Sequence, residues 1–383
     1  MSTIPAIPTR LAPELWTPDA NTWDGDRDGP LICCQVRPET HDVKSFLFEP
    51  AAPKQFRHRP GQFLTLELEI GSEKVNRCYT ISSPPTRPHT LSITVKRHPG
   101  GKVSNWLHDN LKPGVSIPVL GPAGEFSCTL HPANKYLFLS GGSGITPLMS
   151  MARTFYDLGE DANIVFAHSA RSPDDLIFRR ELDMMAAGLS HFKPVFVCDS
   201  APPASNWPGF TGFLSLAMLR AITRDFAQRE IFCCGPAPYM ANVRAILNGI
   251  GFDMRHYHEE SFSFEARDAV TSPSIVEPVP SPSSPATSPS SPAKSQQNFK
   301  IEFTKTGRAI TCAPDQFILN AAKAAGLRLP SSCTQGLCGT CKAKKLSGDV
   351  VMTHKGGIRQ REIDQGFFLP CCSKPLTDVV IEK

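Results

Sequence analysis

The chain has 383 residues, a formal net charge of +4, 36 prolines and 13 cysteines. That length predicts two to three domains, and the sequence holds no run of about 18 apolar residues that would span a membrane. The first ten residues lack a basic stretch followed by an apolar one, the odd cysteine count with Cys33, Cys34 and Cys198 beside apolar neighbours predicts reduced thiols in a cytoplasm, and no dense basic face points to nucleic acid.

Residues 1–30 read as an N-terminal extension, and 31–132 as an antiparallel β-barrel. Apolar and polar residues alternate along Leu64–Ile70 and Leu91–Val95, and turn residues such as Arg59-Pro60-Gly61 and Lys112-Pro113-Gly114 separate the runs. One helix is expected in this barrel, from Ser104 to Leu111, with Ser104 as its cap. Two patterns there suit an anionic ligand. Arg77-Cys78-Tyr79-Thr80 ends a strand, where an arginine fork can hold phosphate and Tyr79, on the same strand face, can stack on a flat ring. Gly100-Gly101-Lys102-Val103-Ser104 opens the helix, where accessible backbone N–H groups attract phosphate.

Residues 133–265 change character. Strand-like runs at Tyr136–Leu139, Asn163–Ala167, Lys193–Val197 and Glu230–Cys233 alternate with helical patterns, which predicts a parallel-sheet α/β domain. Ser140-Gly141-Gly142-Ser143-Gly144-Ile145-Thr146-Pro147 lies between the first strand and first helix, the context of a dinucleotide-binding turn. A tight turn without ligand is the plain alternative. Cys234, after a later strand, falls at the carboxyl end of the sheet, where ligands bind in open α/β folds; a buried small apolar residue is the plain alternative.

Residues 266–297 form a Pro/Ser-rich linker, with seven prolines from Pro273 to Pro292. Such a tract cannot bury enough apolar surface to order itself, and it reaches about 100 Å fully extended or roughly 30 Å as a coil. Residues 298–383 open with an alternating strand pair joined at Thr306-Gly307, then a helix capped by Asp315 and ended by Gly326. This segment carries 13 Lys and Arg against 7 Asp and Glu. Cys333, Cys338 and Cys341 have C-x4-C-x2-C spacing, with more cysteines at Cys371 and Cys372. Four thiolates so spaced match a plant-type [2Fe–2S] cluster; tetrahedral zinc, the rival, favours close C-x2-C pairs.

Taken together, Arg77-Cys-Tyr-Thr-Ile-Ser-Ser83, Ser92–Arg97, Gly100–Asp109, Phe138–Pro147, His168–Pro173, Ile231–Pro236, Tyr257–Phe262 and the cysteine loop resemble the ferredoxin–NADP reductase superfamily fused to a C-terminal plant-type ferredoxin. Within it the chain resembles reductase components of glycine-betaine-demethylating Rieske monooxygenases, a likeness shared with reductases of the hybrid cluster protein. The resemblance implies three domains: a flavin-binding barrel, a nucleotide-binding α/β domain and an α+β β-grasp ferredoxin. It implies that Arg77, Tyr79 and Thr80 hold FAD (or FMN), and that Lys96, Gly101, Val103 and Ser104 hold its phosphates. Gly142 and Thr146 would meet NADH or NADPH, Cys234 would lie beside the hydride-transfer point, and Glu260 and Phe262 would close over the flavin. Alignment on Pro375 selects Cys371 as fourth cluster ligand with Cys333, Cys338 and Cys341. Many plant-type ferredoxins are acidic; this segment is not.

The implied path runs from nicotinamide to flavin to [2Fe–2S] to an external acceptor. The chain has no C-x-H paired with C-x2-H for a Rieske cluster, so substrate chemistry falls to a partner oxygenase. Lys342, Lys344, Lys345, Lys355, Arg359 and Arg361 crowd the cluster sequence and are expected to steer docking. Past the second strand, Arg171 would favour a 2′-phosphate and Asp174–Asp175 a ribose 2′-hydroxyl, which leaves NADPH and NADH both open. A redox sensor without turnover is the alternative from another class.

Overall fold

A computed structural model describes residues 13–25, 27–160, 162–202, 206–261, 298–331, 334, 336, 339–354, 358 and 360–383. The linker expected over 266–297 lies outside them. Contacts divide the chain into two compact units, one built mainly on residues 13–261 and the other on residues 298–329 and 334 onward.

In the first unit, β1 (Leu31–Thr40), β2 (Val43–Pro50), β3 (Phe63–Ile70), β4 (Glu73–Thr80), β5 (Leu91–Lys96), β6 (Ser116–Ile117) and β7 (Val119–Ala123) form two antiparallel sheets, ordered β5-β2-β1-β6 and β4-β3-β7. An antiparallel bridge between Ile81 and Ile93 joins them at one corner. Alternation explains the shared core: Phe46, Phe48, Leu64, Leu66, Leu91 and Ile93 all point inward and are fully buried. Each such side chain contributes about 1.5–3 kcal/mol.

The barrel's helix, α1 (Lys102–Asn110), starts two residues before the expected Ser104. Gly101 is the cap, in extended conformation and without a side-chain hydrogen bond. Ser104 is therefore not the cap. It lies inside the first turn, where its Oγ accepts from the His98 backbone N–H at 3.2 Å.

The second half of this unit holds β8 (Lys135–Gly141), α2 (Ile145–Leu158), β9 (Asn163–Ala170), α3 (Arg179–Gly188), β10 (Phe192–Cys198), β11 (Phe210–Thr211), α4 (Leu216–Ile222), β12 (Glu230–Cys234), α5 (Ala237–Gly249) and β13 (Tyr257–Glu260). The sheet is parallel throughout, ordered β11-β10-β9-β8-β12-β13. Helices α2 and α3 pack on one face and α4 and α5 on the other. The winding reverses at β8, so a crevice opens at the carboxyl ends of β8 and β12.

The two halves are tied by polar contacts. Ser150 Oγ donates to the Ser83 carbonyl at 2.7 Å, and Arg153 donates to the Ser82 carbonyl at 2.6 Å. Arg87 holds Asp157 through two hydrogen bonds, 2.9 and 2.7 Å.

The second unit comprises β14 (Phe299–Phe303), β15 (Arg308–Cys312), α6 (Ile318–Ala324), β16 (Ala343–Ser347), β17 (Val350–Met352), α7 (Gln360–Asp364), β18 (Phe367–Phe368), β19 (Ser373–Pro375) and β20 (Val379–Glu382). Its main sheet is ordered β15-β14-β20-β16-β18, with β14 and β20 parallel at the centre. Ile318, Leu319 and Ala322 of α6 join Ile301, Phe303 and Ile381 in one core, the β-grasp arrangement. Asp315 does not cap α6: Phe317 holds that position with no side-chain cap. Gly326 does end the helix, at φ +73°, which lets the Leu327 N–H reach the Ala322 carbonyl at 2.9 Å.

No disulfide forms among the described cysteines. Burial pushes the thiols of Cys33, Cys198 and Cys312 up to about 11 and those of Cys128 and Cys233 up to about 12. Among the described residues no helix is long and apolar enough to cross a membrane.

Candidate functional site

β4 delivers Arg77, Tyr79 and Thr80 to the end of the three-stranded sheet, with Arg77 and Tyr79 half-buried and Thr80 buried. Thr80 Oγ1 has no hydrogen-bond partner among the described residues. Such a hydroxyl costs stability unless a ligand satisfies it. Beyond Thr80 the chain enters a buried hydroxyl chain: Ser82 Oγ lies 2.9 Å from both Ser92 Oγ and Thr94 Oγ1, and Thr94 Oγ1 lies 2.8 Å from Ser45 Oγ. His58 Nε2 donates to the Ser83 carbonyl at 3.3 Å, and burial lowers this imidazole to about 4, so it is neutral.

At α1 the absent side-chain cap leaves first-turn N–H groups for an anion. A Cβ on Gly101 would come within 2.6 Å of Ser104 Oγ, so any side chain there would push that hydroxyl out of place. Ser104 and Val103 are buried beneath it. Lys96, at the end of β5, directs its ammonium to Asp42 at 3.3 Å.

In the α/β half, Gly142 has φ +53° with open space where a Cβ would point, and α2 also begins without a side-chain cap. Thr146 is buried in the first turn, donating to the Ser143 carbonyl at 3.2 Å. A Cβ on Gly144 would lie 2.3 Å from the Cys234 carbonyl oxygen, so only glycine lets the β8 turn meet the end of β12.

Register aligns a row of side chains at the carboxyl end. Cys234 pairs with Ser140 on one side and Glu260 on the other, and Ser140 pairs with His168. In-register parallel neighbours share a face, so Glu260, Cys234, Ser140 and His168 form one line. Burial drives the Cys234 thiol far up, and the Glu260 charge adds to this, so Cys234 stays protonated. His168 is fully buried, takes part in a 2.8 Å hydrogen bond with Ser140 Oγ, and is lowered by burial to about 3. Phe262 lies outside the described residues.

In the second unit, Cys341 and Cys371 are both buried. Cys333 and Cys338 lie outside the described residues. Gly336 has φ +71°, and a Cβ there would meet Cys372 Sγ at 2.7 Å, so the loop between the cysteines needs glycine on two grounds. Of the six basic residues expected to steer docking, Lys342 pairs with Glu362 at 2.5 Å and Lys345 with Asp349 at 3.5 Å. Lys344 is exposed. Lys355, Arg359 and the Arg361 side chain lie outside the described residues. The steering charge is therefore smaller than a count of residues suggests.

Sequence reasoning missed Asp42, His58, Arg153, and the Ser140–His168 pair. The pairing of Ser140 with His168 is set by strand register, which no local pattern announces.

The arrangement suits two-electron to one-electron chemistry. Bound nicotinamide gives two electrons together, flavin holds two and releases them singly, and a [2Fe–2S] cluster takes one. The chain's own contribution is to bind and orient. Both α1 and α2 begin without a side-chain cap, the Thr80 hydroxyl is unpaired among the described residues, and the Cys234 thiol is neutral.

Comparison with known proteins matches three family models: an oxidoreductase FAD-binding domain over residues 34–128, an oxidoreductase NAD-binding domain over 138–245, and a 2Fe-2S iron-sulfur cluster binding domain over 301–376. The chain is 48% identical to a glycine betaine monooxygenase reductase subunit of Pseudomonas aeruginosa, covering 94% of this chain and 96% of that one. It is 42% identical to a stachydrine N-demethylase reductase subunit of Rhizobium meliloti, covering 92% and 96%. Phthalate dioxygenase reductase shares the fold, with a TM-score of 0.57 at 21% identity, covering 94% of this chain and all of that one. FAD, NADH and a [2Fe–2S] cluster are thus the cofactors of the three domains.

Proposed function

The chain belongs to the family of monooxygenase reductase subunits that join FAD-binding, NAD-binding and 2Fe-2S domains, and on that premise we propose that it feeds a Rieske-type oxygenase that demethylates glycine betaine or a similar quaternary amine. Electrons pass from NADH to FAD to [2Fe–2S] and then to the oxygenase. The observation that carries the substrate class is the 48% identity along nearly the whole of both chains, with the 42% identical stachydrine relative as a second quaternary-amine case.

In this reading the domains run 31–132, 133–265 and 298–383, after an extension over 1–30 and with a tether over 266–297. Arg77, Tyr79 and Thr80 hold the flavin ring side, and Gly101, Val103 and Ser104 its phosphates. Lys96 adds charge there only if it leaves Asp42. Gly142 and Thr146 receive the nicotinamide nucleotide, Cys234 and Glu260 flank the point of hydride transfer, and Phe262 covers the flavin. Cys333, Cys338, Cys341 and Cys371 ligate the cluster, with the cytoplasm as compartment for its reduced thiols.

Reconstitution with a Rieske oxygenase tests this. NADH-dependent formaldehyde release from glycine betaine is expected only with both proteins present. Rapid dye reduction without any amine demethylation, across glycine betaine and stachydrine, would overturn the substrate class. Absence of NADH-driven dye reduction would overturn the reductase reading and favour a sensor.

A further inference from the structure

The β1–β2 turn of the barrel reaches across to the nucleotide half. Arg171 Nη2 donates to Asp42 Oδ2 at 3.0 Å and to Asp175 Oδ1 at 2.9 Å. Lys96 Nζ lies 3.3 Å from the same Asp42 oxygen. Thr40 Oγ1 donates to the other Asp42 oxygen at 3.0 Å, and Ser172 Oγ to Asp175 Oδ2 at 2.8 Å. Both carboxylates are held ionised. Burial raises each, but Lys96 and Thr40 outweigh it at Asp42, as do Ser172 and Arg171 at Asp175.

The position of this cluster gives it a meaning. Ser169 of β9 pairs in register with Gly141 of β8, at the glycine turn. Arg171 lies two residues further along, past the end of the second strand. In dinucleotide sites of this topology, that location decides between a ribose 2′-hydroxyl and a 2′-phosphate. A 2′-phosphate needs a cation with hydrogen bonds to give. Here one guanidinium and one ammonium are shared with two carboxylates, and their four charges cancel. A neutral 2′-hydroxyl can donate to those carboxylates; a phosphate dianion is repelled by them. His41 also approaches both, at 3.8 and 4.0 Å, but is mostly exposed. A metal ion at this group would have to displace both Arg171 and Lys96 from their partners.

We propose that Asp42, a residue of the flavin domain, is a specificity-determining residue for the nicotinamide nucleotide: together with Asp175 it holds Arg171 away from a 2′-phosphate and so selects NADH. This rests on reading the Ser140–Pro147 turn as the pyrophosphate site. Nucleotide choice is then set jointly by two domains, one of which carries no part of the nucleotide fold.

Equilibrium titration of the FAD-loaded full chain with 5′-ADP and with 2′,5′-ADP separates the possibilities without turnover. The wild type is expected to bind 5′-ADP the more tightly. Asp42→Asn is expected to shift the ratio toward 2′,5′-ADP by about tenfold, the scale of one charge-assisted hydrogen bond. Asp175→Asn, which releases the same arginine from the other side, should shift it the same way. Adding Arg171→Ala to Asp42→Asn should abolish most of the gain. Flavin absorbance reports whether each variant keeps its fold. An unchanged ratio in both single variants, a gain that survives loss of Arg171, or a wild type that prefers 2′,5′-ADP would overturn the proposal. Failure of the wild type to bind either nucleotide would overturn the glycine-turn reading and this inference with it.

Discussion

The Arg153 guanidinium donates through Nη1 to the Ser82 carbonyl at 2.6 Å, fastening helix α2 of the nucleotide half to the segment that follows β4 of the barrel. Its remaining edge grips both oxygens of Glu181, at 2.8 and 2.6 Å, and its flat face lies 4.5 Å from the centre of the Phe178 ring. Arg153 is buried, so these partners stand in for water around its guanidinium. Arg153→Met is expected to lower stability by about 3 kcal/mol, because it strands Glu181 and a buried carbonyl. Urea unfolding checks this; an unchanged midpoint would show that the two halves are held by other contacts.

Thr80→Val should separate binding from folding. The hydroxyl it removes has no partner within the described protein, so the flavin-free chain should be no less stable, by thermal denaturation. FAD affinity should fall by about tenfold, as expected for one lost hydrogen bond to a buried group. Unaltered affinity would remove Thr80 from the flavin site.

Cys234→Ala and Glu260→Gln alter the pair at the carboxyl end of the sheet. Both should slow flavin reduction by NADH in stopped flow by on the order of tenfold or more, through lost positioning. Reoxidation of the photoreduced protein by a dye should be unaffected, since that step does not use the nicotinamide. Equal loss in both steps would point to general damage.

Two buried imidazoles govern acid stability. Burial lowers His58 to about 4 and His168 to about 3, against about 6.5 in the unfolded chain. Between those values the unfolded state binds more protons, so stability is lost as pH falls. The contribution is complete above pH 6.5 and drains away as pH drops toward 4. Each histidine adds a slope of about 1.4 kcal/mol per pH unit. His58→Asn or His168→Asn should flatten the pH dependence of the unfolding free energy across this window; an unaltered slope would mean that carboxylates govern it instead.

The choice between adjacent thiols is simple to check. Cys371→Ser should abolish or blue-shift the visible charge-transfer bands of the iron–sulfur centre, whereas Cys372→Ser should retain them. The reverse outcome would exchange the two assignments.

Much of the site was legible because its parts are contiguous. Arg77 to Thr80, Gly100 to Ser104 and Ser140 to Pro147 each carry their meaning within a few residues, since strand ends and helix starts are local events. Two expected caps, Ser104 and Asp315, were misplaced for the same reason. A polar residue near a helix start looks like a cap, yet Gly101 and Phe317 adopt the extended backbone that the position needs. The contacts from Arg153 to Ser82 and from Arg171 to Asp42 span 71 and 129 residues. They depend on how one domain half settles on the other, and no spacing rule carries that information.

The buried thiols have a consequence for wear. A protein that passes single electrons in air sheds some of them to oxygen, and peroxide then forms close to its own side chains. Peroxide attacks thiolate and leaves the protonated thiol almost untouched. With pKa values held at about 11 to 12, Cys33, Cys128, Cys198, Cys233 and Cys312 expose on the order of one thiolate in ten thousand, or fewer, at neutral pH. A cysteine-rich chain can thus work beside its own oxidant for many cycles, and ageing should begin elsewhere, at the cluster.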